Sequence, residues 1–195
     1  MAIDRRVSRP RQALYDAVVR LMLRRPYEAI GVLAAAAEAG VGRSTFYSHF
    51  RSKDELVARS LERLRPVLQE GRAAQIERPR IESCQGTLAL FRHMHGHRSL
   101  LTALEGSAGH TIVLTAIREE LARFLGAYAR PGLHRGIPRQ LVLDFITGTF
   151  MSVATWWLTE RPEMSAEDAD AMFHRLVGDG IPTGFFADDA RRFAA

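Results

Sequence analysis

The 195-residue sequence has a single cysteine, Cys84, and a single lysine, Lys53. One cysteine excludes an intramolecular disulfide framework. With no apolar N-terminal run ahead of a cleavage site, the chain reads as reduced and cytoplasmic. It has no alternating apolar–polar run that would mark a strand, no repeat and no low-complexity tract. Long apolar runs are also missing, with one near exception. "LVLDFITGTFMSVATWWL", Leu141 to Leu158, has Asp144 as its only charge. A carboxylate at mid-bilayer costs about 3 kcal/mol, and Thr and Ser recur through the run. It therefore reads as a helix buried in a soluble bundle or dimer seam, and no membrane partner is expected.

Catalytic signatures are absent as well. The sequence holds no Ser-His-Asp arrangement in a recognisable turn, no carboxylate–histidine pair at metal spacing and no glycine-rich loop to cradle phosphate. The nearest approach is "HMHGH". His93 and His97, four apart, would share a helical face and, with His95, give the alternative reading of a metal-dependent hydrolase or metal sensor. Cys84 and His110 complete such a site only if folding brings them close, and Gly96 weakens the helix that would align the pair. Histidines of the surface or core are the simpler reading. No metal, no cofactor and no enzymatic activity are expected.

What is present is helical period and an uneven charge. Residues 1 to 65 hold 13 Lys plus Arg against 7 Asp plus Glu, whereas residues 66 to 195 hold 14 against 15. A basic N-terminal third on a nearly neutral remainder points to an anionic partner met by the first part. A chain of this length buries about 70% of its unfolded surface, enough for one sizeable core or two smaller ones. The pattern predicts an all-α chain in two parts, residues 1–64 and 65–195.

In the first part, Ser8 and Pro10 open a helix from about Arg9 to Leu23 that buries Leu14, Val18 and Leu21, and Pro26 comes after it. A short alanine-rich helix covers Val32 to Ala39 and stops at Gly40, which suits a left-handed helix end. A third spans Arg43 to Phe50. A fourth opens on Ser52-Lys53-Asp54-Glu55, a capping box in which Ser52 and Glu55 satisfy each other's backbone amides. Helix, Gly-containing turn and helix is the layout of a helix-turn-helix unit. Pro66 interrupts or kinks the chain beyond this unit, and a polar loop is expected at Gly71 to Arg80.

A helix entering the major groove needs small or polar residues at its leading end. Gly42, Arg43, Ser44 and Thr45 meet that need, with Arg43 and Thr45 as candidate base readers. Tyr47 and His49 trail at phosphate reach, while Phe46 and Phe50, four apart, pack inward. Lys53 adds a charge beside the free amides of the next helix. An arm before the first helix adds Arg5, Arg6, Arg9 and Arg11 for the backbone or minor groove.

"RPYEAIGV" and "AEAGVGRSTFYSHFRSKDEL" resemble the TetR-type (TetR/AcrR) transcriptional regulators over about residues 10 to 64. Ala39-Gly40-Val41, Thr45, Phe46-Tyr47, His49-Phe50, Lys53 and Leu56 stand in the family's order without a gap. The resemblance implies that the third helix reads a double-stranded DNA operator through Arg43, Ser44, Thr45, Tyr47, His49 and Lys53. Gly31 and Gly42 stand where the family usually has Thr and Ser, and Ala35 where it has Ile. The missing Thr removes one hydroxyl contact to phosphate.

The second part should hold helices at about Ser83 to His97, Thr111 to Tyr128, Pro138 to Leu158 and Ser165 to Val177, the last capped by Ser165 and Asp168. Gly148 and Ser152, one turn apart, permit close approach of a second helix. With "WWL" at Trp156 to Leu158, which resembles the C-terminal region of many family members, this implies a homodimer and hence a palindromic operator. The second part is thus expected to be a helical bundle for ligand binding and dimerisation. Phe91, Met94, Leu104, Ile117, Leu121, Phe124, Phe145, Phe150 and Trp156 are the candidate walls for a small apolar effector, against plain core packing. The expected function is a ligand-responsive regulator, a repressor by resemblance.

Overall fold

Caps and glycines set most of the helix ends. The computed structural model describes residues 5–70, 85–127, 129, 133–134 and 136–180. The chain is all-α, an N-terminal helix-turn-helix domain followed by a helical C-terminal domain. α1 (Arg5–Met22) buries Leu14, Val18 and Leu21, as their spacing requires. It starts earlier than Ser8 and Pro10 suggest. Pro10 lies inside the helix, where it forgoes one amide bond, and Arg9 and Arg11 are therefore helical rather than part of an extended arm. The side chains of Arg5 and Arg6 lie outside the described residues.

α2 (Val32–Glu38) ends at Gly40, whose φ is +67°. Gly40 N donates to Ala37 O and Val41 N to Ala36 O, both at 3.0 Å, the paired bonds of a glycine-terminated helix. α3 (Arg43–His49) and α4 (Lys53–Ser60) come next. At the start of α4 the Ser52 hydroxyl accepts from Glu55 N at 3.1 Å. The return bond differs from a capping box: the Glu55 carboxylate accepts from Arg51 N at 2.6 Å, one residue before Ser52.

A 3-10 turn, Leu61–Arg63, leads from α4 into α5 (Leu64–Glu70). Pro66 sits in the first turn of α5, where its missing N–H costs nothing, so it stands after the break and does not kink a helix. The loop expected at Gly71 to Arg80 lies outside the described residues, as do Cys84 and Tyr128.

The body holds α6 (Gln85–Gly96), α7 (Arg98–Leu104), α8 (Ala108–Gly126), α9 (Arg139–Glu160) and α10 (Ala166–Gly178). Ser107 caps α8 by accepting from His110 N, and Ser165 caps α10 by accepting from Asp168 N. α7 was not legible in the pattern. Neither was a two-residue antiparallel pair, β1 (Leu133–His134) with β2 (Ile137–Pro138), closed at Gly136 with φ +84°.

α6 packs between α5 and α10, α9 packs on α8 and α10, and α8 lies against α4. Among the described residues, Arg139–Glu160 alone has the length and composition to cross a membrane, and its inner face is spent on α8 and α10. The centre is aromatic. The Phe91 ring lies 4.5 Å from Phe150 and 5.6 Å from Trp157, with Phe173 on Phe150 at 5.5 Å. Such pairs add about 0.5–1.5 kcal/mol each beyond their burial. Trp157 Nε1 donates to Met164 O at 2.9 Å, so its one polar atom is satisfied.

Candidate nucleic-acid interface

α3 is amphipathic in the most literal sense. Phe46 and Phe50 are buried, Phe50 against Tyr15 of α1 at 5.6 Å. Gly42, Arg43, Ser44, Tyr47 and Ser48 face solvent, while Thr45 and His49 are half-buried. Gly42 precedes the helix in extended backbone with no side-chain cap, which leaves the leading amides of α3 unobstructed. The Arg43 guanidinium carbon lies 5.6 Å from the Tyr47 ring centroid. Arginine-on-tyrosine stacking orders a long side chain without consuming its hydrogen-bond donors.

Ion pairing separates the arginines of this region. Arg20 and Arg24 both bind Glu38 at 2.8 Å, Arg11 binds Glu62 at 3.1 Å, Arg59 binds Glu55 at 2.9 Å and Arg63 binds Asp16 at 3.0 Å. In this region, among the described residues, Arg9, Arg25, Arg43 and Arg51 have no carboxylate partner, and of these only Arg43 and Arg51 flank or lie on α3. Arg51, exposed directly after α3, was not singled out from the sequence. Its signal is an arginine between the third helix and the Ser52 cap. Arg9 is exposed on α1.

Lys53 behaves differently. Its Nζ donates to Tyr27 O at 2.7 Å and stands 4.1 Å from the Tyr27 ring centroid, so it is turned back onto the protein. Tyr27 in turn donates its hydroxyl to Asp54. Burial, then that bond, raises the Tyr27 hydroxyl well above the ordinary phenol range, which keeps it a donor.

Residues 14–59, from Leu14 on α1 to Arg59 on α4, match the family model of the bacterial regulatory proteins, tetR family. This region is a TetR-type DNA-binding domain. No curated protein matches the chain in sequence. Among solved structures the chain is similar to a TetR transcriptional regulator from Streptococcus agalactiae 2603V, with 26% identity and a TM-score of 0.63 over 89% of this chain and 96% of that one. It also shares its fold with the transcriptional regulator FadR from Bacillus subtilis, solved with stearoyl-CoA, at 17% identity, TM-score 0.60 and coverage of 88% and 99%. A third is NalD, the secondary repressor of the MexAB-OprM multidrug efflux pump in Pseudomonas aeruginosa, at 16% identity, TM-score 0.54 and coverage of 89% and 97%.

Behind the TetR-type domain, the candidate effector residues divide. Phe91, Met94, Leu104, Ile117, Leu121, Phe124 and Phe150 are buried in one cluster drawn from α6, α7, α8 and α9. Phe145 is 56% exposed and stands outside it. Trp156 is half-buried at the margin, while Trp157 takes the inner place beside Phe91. The phase of α9 explains this, since Trp157 is seven residues from Phe150 and so on its face. Leu141 and Phe145, four apart on α9, form an exposed apolar stripe at 58% and 56%, and Ile137 of β2 is exposed just before it at 47%.

The histidines diverge. His93 and His97 stack at 4.3 Å, His97 Nδ1 lies 3.0 Å from His93 O, and His95 stacks on Trp157 at 5.6 Å. Among the described residues no three His, Cys, Asp or Glu side chains are grouped to hold a metal. The metal reading of His93, His95 and His97 is corrected accordingly. Helical spacing aligned two rings, but they meet face to face, and the third turns to the tryptophan. Burial, then His97 and Arg63, pushes His93 down to about 4, so it is neutral at physiological pH.

Proposed function

We propose that the chain is a TetR-type transcriptional repressor that binds a palindromic operator as a homodimer and leaves it when a small apolar molecule enters the body. The supporting observation is α3 itself. Its buried face is spent on Phe46 and Phe50, and its open face presents an unpaired Arg43 beside Ser44 and Tyr47 at a helix start with free amides. Within the proposed contact set, Arg43 and Thr45 read bases. Gly42, Ser44, Tyr47, His49 and Arg9 contact the backbone, and Lys53 joins them from the place where Tyr27 holds it. The domains divide at residues 64 and 65, the first turn of α5.

Dimerisation is supported by the stripe of Leu141 and Phe145 on α9 with Ile137 exposed before it, and by Gly148, also on α9, where an added methyl would meet nothing among the described residues. A second copy covering that face builds a four-helix seam and spaces two α3 helices about 34–36 Å apart, one turn of DNA. The effector is apolar because the body's interior at Phe91, Leu121, Phe124 and Phe150 is apolar, and the structural relative FadR was solved with stearoyl-CoA. Phe145 and Trp156 are outer candidates only. A regulator with this architecture works in the cytoplasm, without catalysis.

Selecting bound fragments from the source genome tests this reading. Enrichment of an inverted repeat near a few promoters is expected. Recovery of random fragments, or of none at low salt, rejects it.

A further inference from the structure

Tyr27 is one of the places where the TetR-type domain meets the body, beside the packing of α4 on α8. Its ring is 2% exposed and lies on α8 at Gly109. A methyl added at Gly109 would stand 2.7 Å from two Tyr27 ring carbons, too near for carbon atoms that cannot move apart. Gly109 has ordinary helical backbone, so the ring, not the chain conformation, accounts for the glycine. One residue along, the Glu28 carboxylate accepts from Ala108 N at 3.1 Å, in the same first turn of α8. A cleft of about 420 Å³, walled by Met22, Pro26, Glu105 and Ser107, leaves room beside the contact for the turn to shift.

On its other side Tyr27 holds the start of α4. Lys53 Nζ donates to its carbonyl and sits over its ring, and its hydroxyl donates to Asp54. The first turn of α8 therefore reaches the first turn of α4 through one side chain. Farther along, α8 carries Ile117, Leu121 and Phe124, the proposed effector contacts.

We infer that Tyr27 is a positioning residue that ties Lys53 to the N-terminus of α8, so that displacement of α8 releases the lysine from the position in which it is proposed to grip phosphate. This rests on the DNA-binding reading above. A ligand that shifts α8 acts on DNA through Tyr27, with no contact of its own to the reading helix.

Lys53 is the only lysine, so its acylation by a trace amine reagent, read by peptide mass spectrometry, reports on this one side chain without DNA. In the intact protein, Gly109→Ala should accelerate Lys53 labelling about fivefold or more, and Glu28→Ala, which removes only the α8 latch, about two- to threefold. If Gly109→Ala does not fold by its melting curve, Glu28→Ala decides. Unchanged labelling in the folded variants overturns the inference and leaves DNA binding untouched. In a second measurement, Gly109→Ala should lower affinity for the selected operator about fivefold, and less than about twofold in a Lys53→Ala background. Additive effects of the two substitutions also overturn it. Accelerated labelling in a protein that binds no DNA upholds the tie and rejects the repressor reading instead.

Discussion

Arg43 and Tyr47 stand one turn apart on α3, the guanidinium 5.6 Å from the ring centroid, and both face solvent. The pair is ordered yet unspent: no carboxylate neutralises Arg43, while five neighbouring arginines are ion-paired. Charge held in position by an uncharged ring is available to a partner without first breaking an internal bond.

Arg43→Ala is therefore expected to relax preference at one base pair per half-site by about 1–3 kcal/mol, with smaller losses elsewhere. Arg51→Ala, if Arg51 meets phosphate, weakens every sequence alike and lowers the salt slope by about one. A binding panel of single-base operator variants separates the two. Uniform loss for Arg43→Ala counts against base reading.

The α9 stripe gives a second expectation. Phe145→Arg places charge in the proposed seam without disturbing the buried cluster. Dimer dissociation should strengthen tenfold or more, about 1.4 kcal/mol or above, with little change in the helical signal. Sedimentation across a concentration series reads the outcome, and an unshifted monomer–dimer balance removes the stripe from the seam.

A third concerns the link between α5 and α8. Glu120 is 4% exposed and accepts from Arg65 at 2.9 and 3.2 Å, and from Arg123. Burial alone would raise its carboxyl, but the bonds from Arg65 and Arg123 outweigh it and hold the group below the ordinary value of 4.5. With the folded value depressed, this stabilisation is complete above pH 4.5 and fades as pH falls below it. Arg65→Ala leaves Arg123 in place and should cost about 2 kcal/mol, about 4–8 °C in melting temperature. A change below 1 °C means that solvent already screens the pair.

The fourth rests on His93, whose neighbours are His97 and Arg63. Its folded value of about 4 lies below the ordinary 6.5, so the unfolded chain binds more protons between them. Its neutral-state stabilisation is whole above 6.5 and lost as pH falls toward 4. His93→Gln should flatten stability against pH in that window, as denaturation curves at several pH values would show.

Local chemistry made much of this legible from sequence. Gly40 stops α2 because it takes positive φ cheaply, and Ser52 and Ser165 cap because their hydroxyls reach the third amide along. The inward pair Phe46 and Phe50 comes from helical period alone. Tertiary placement was less legible. Trp156 and Trp157 are equivalent as letters, and only the phase of α9 against α6 sends Trp157 inward. Phe145 looks like core by composition but lies outward. α7 was hidden because His97 and Gly106 leave too short a periodic run between them. Nor could spacing show that Lys53 folds back on Tyr27, a contact across 26 residues.

The central claim, that two copies of α3 read one palindrome, is tested most directly by equilibrium binding of the intact protein to the selected duplex and to a scrambled duplex. The titrations should span about 50 to 200 mM salt. The account predicts one dimer per selected duplex, a preference of about a thousandfold or more over the scrambled one, and collapse of that preference in Arg43→Ala. Equal affinity for both duplexes, or a monomer that binds neither at the lowest salt, would contradict it.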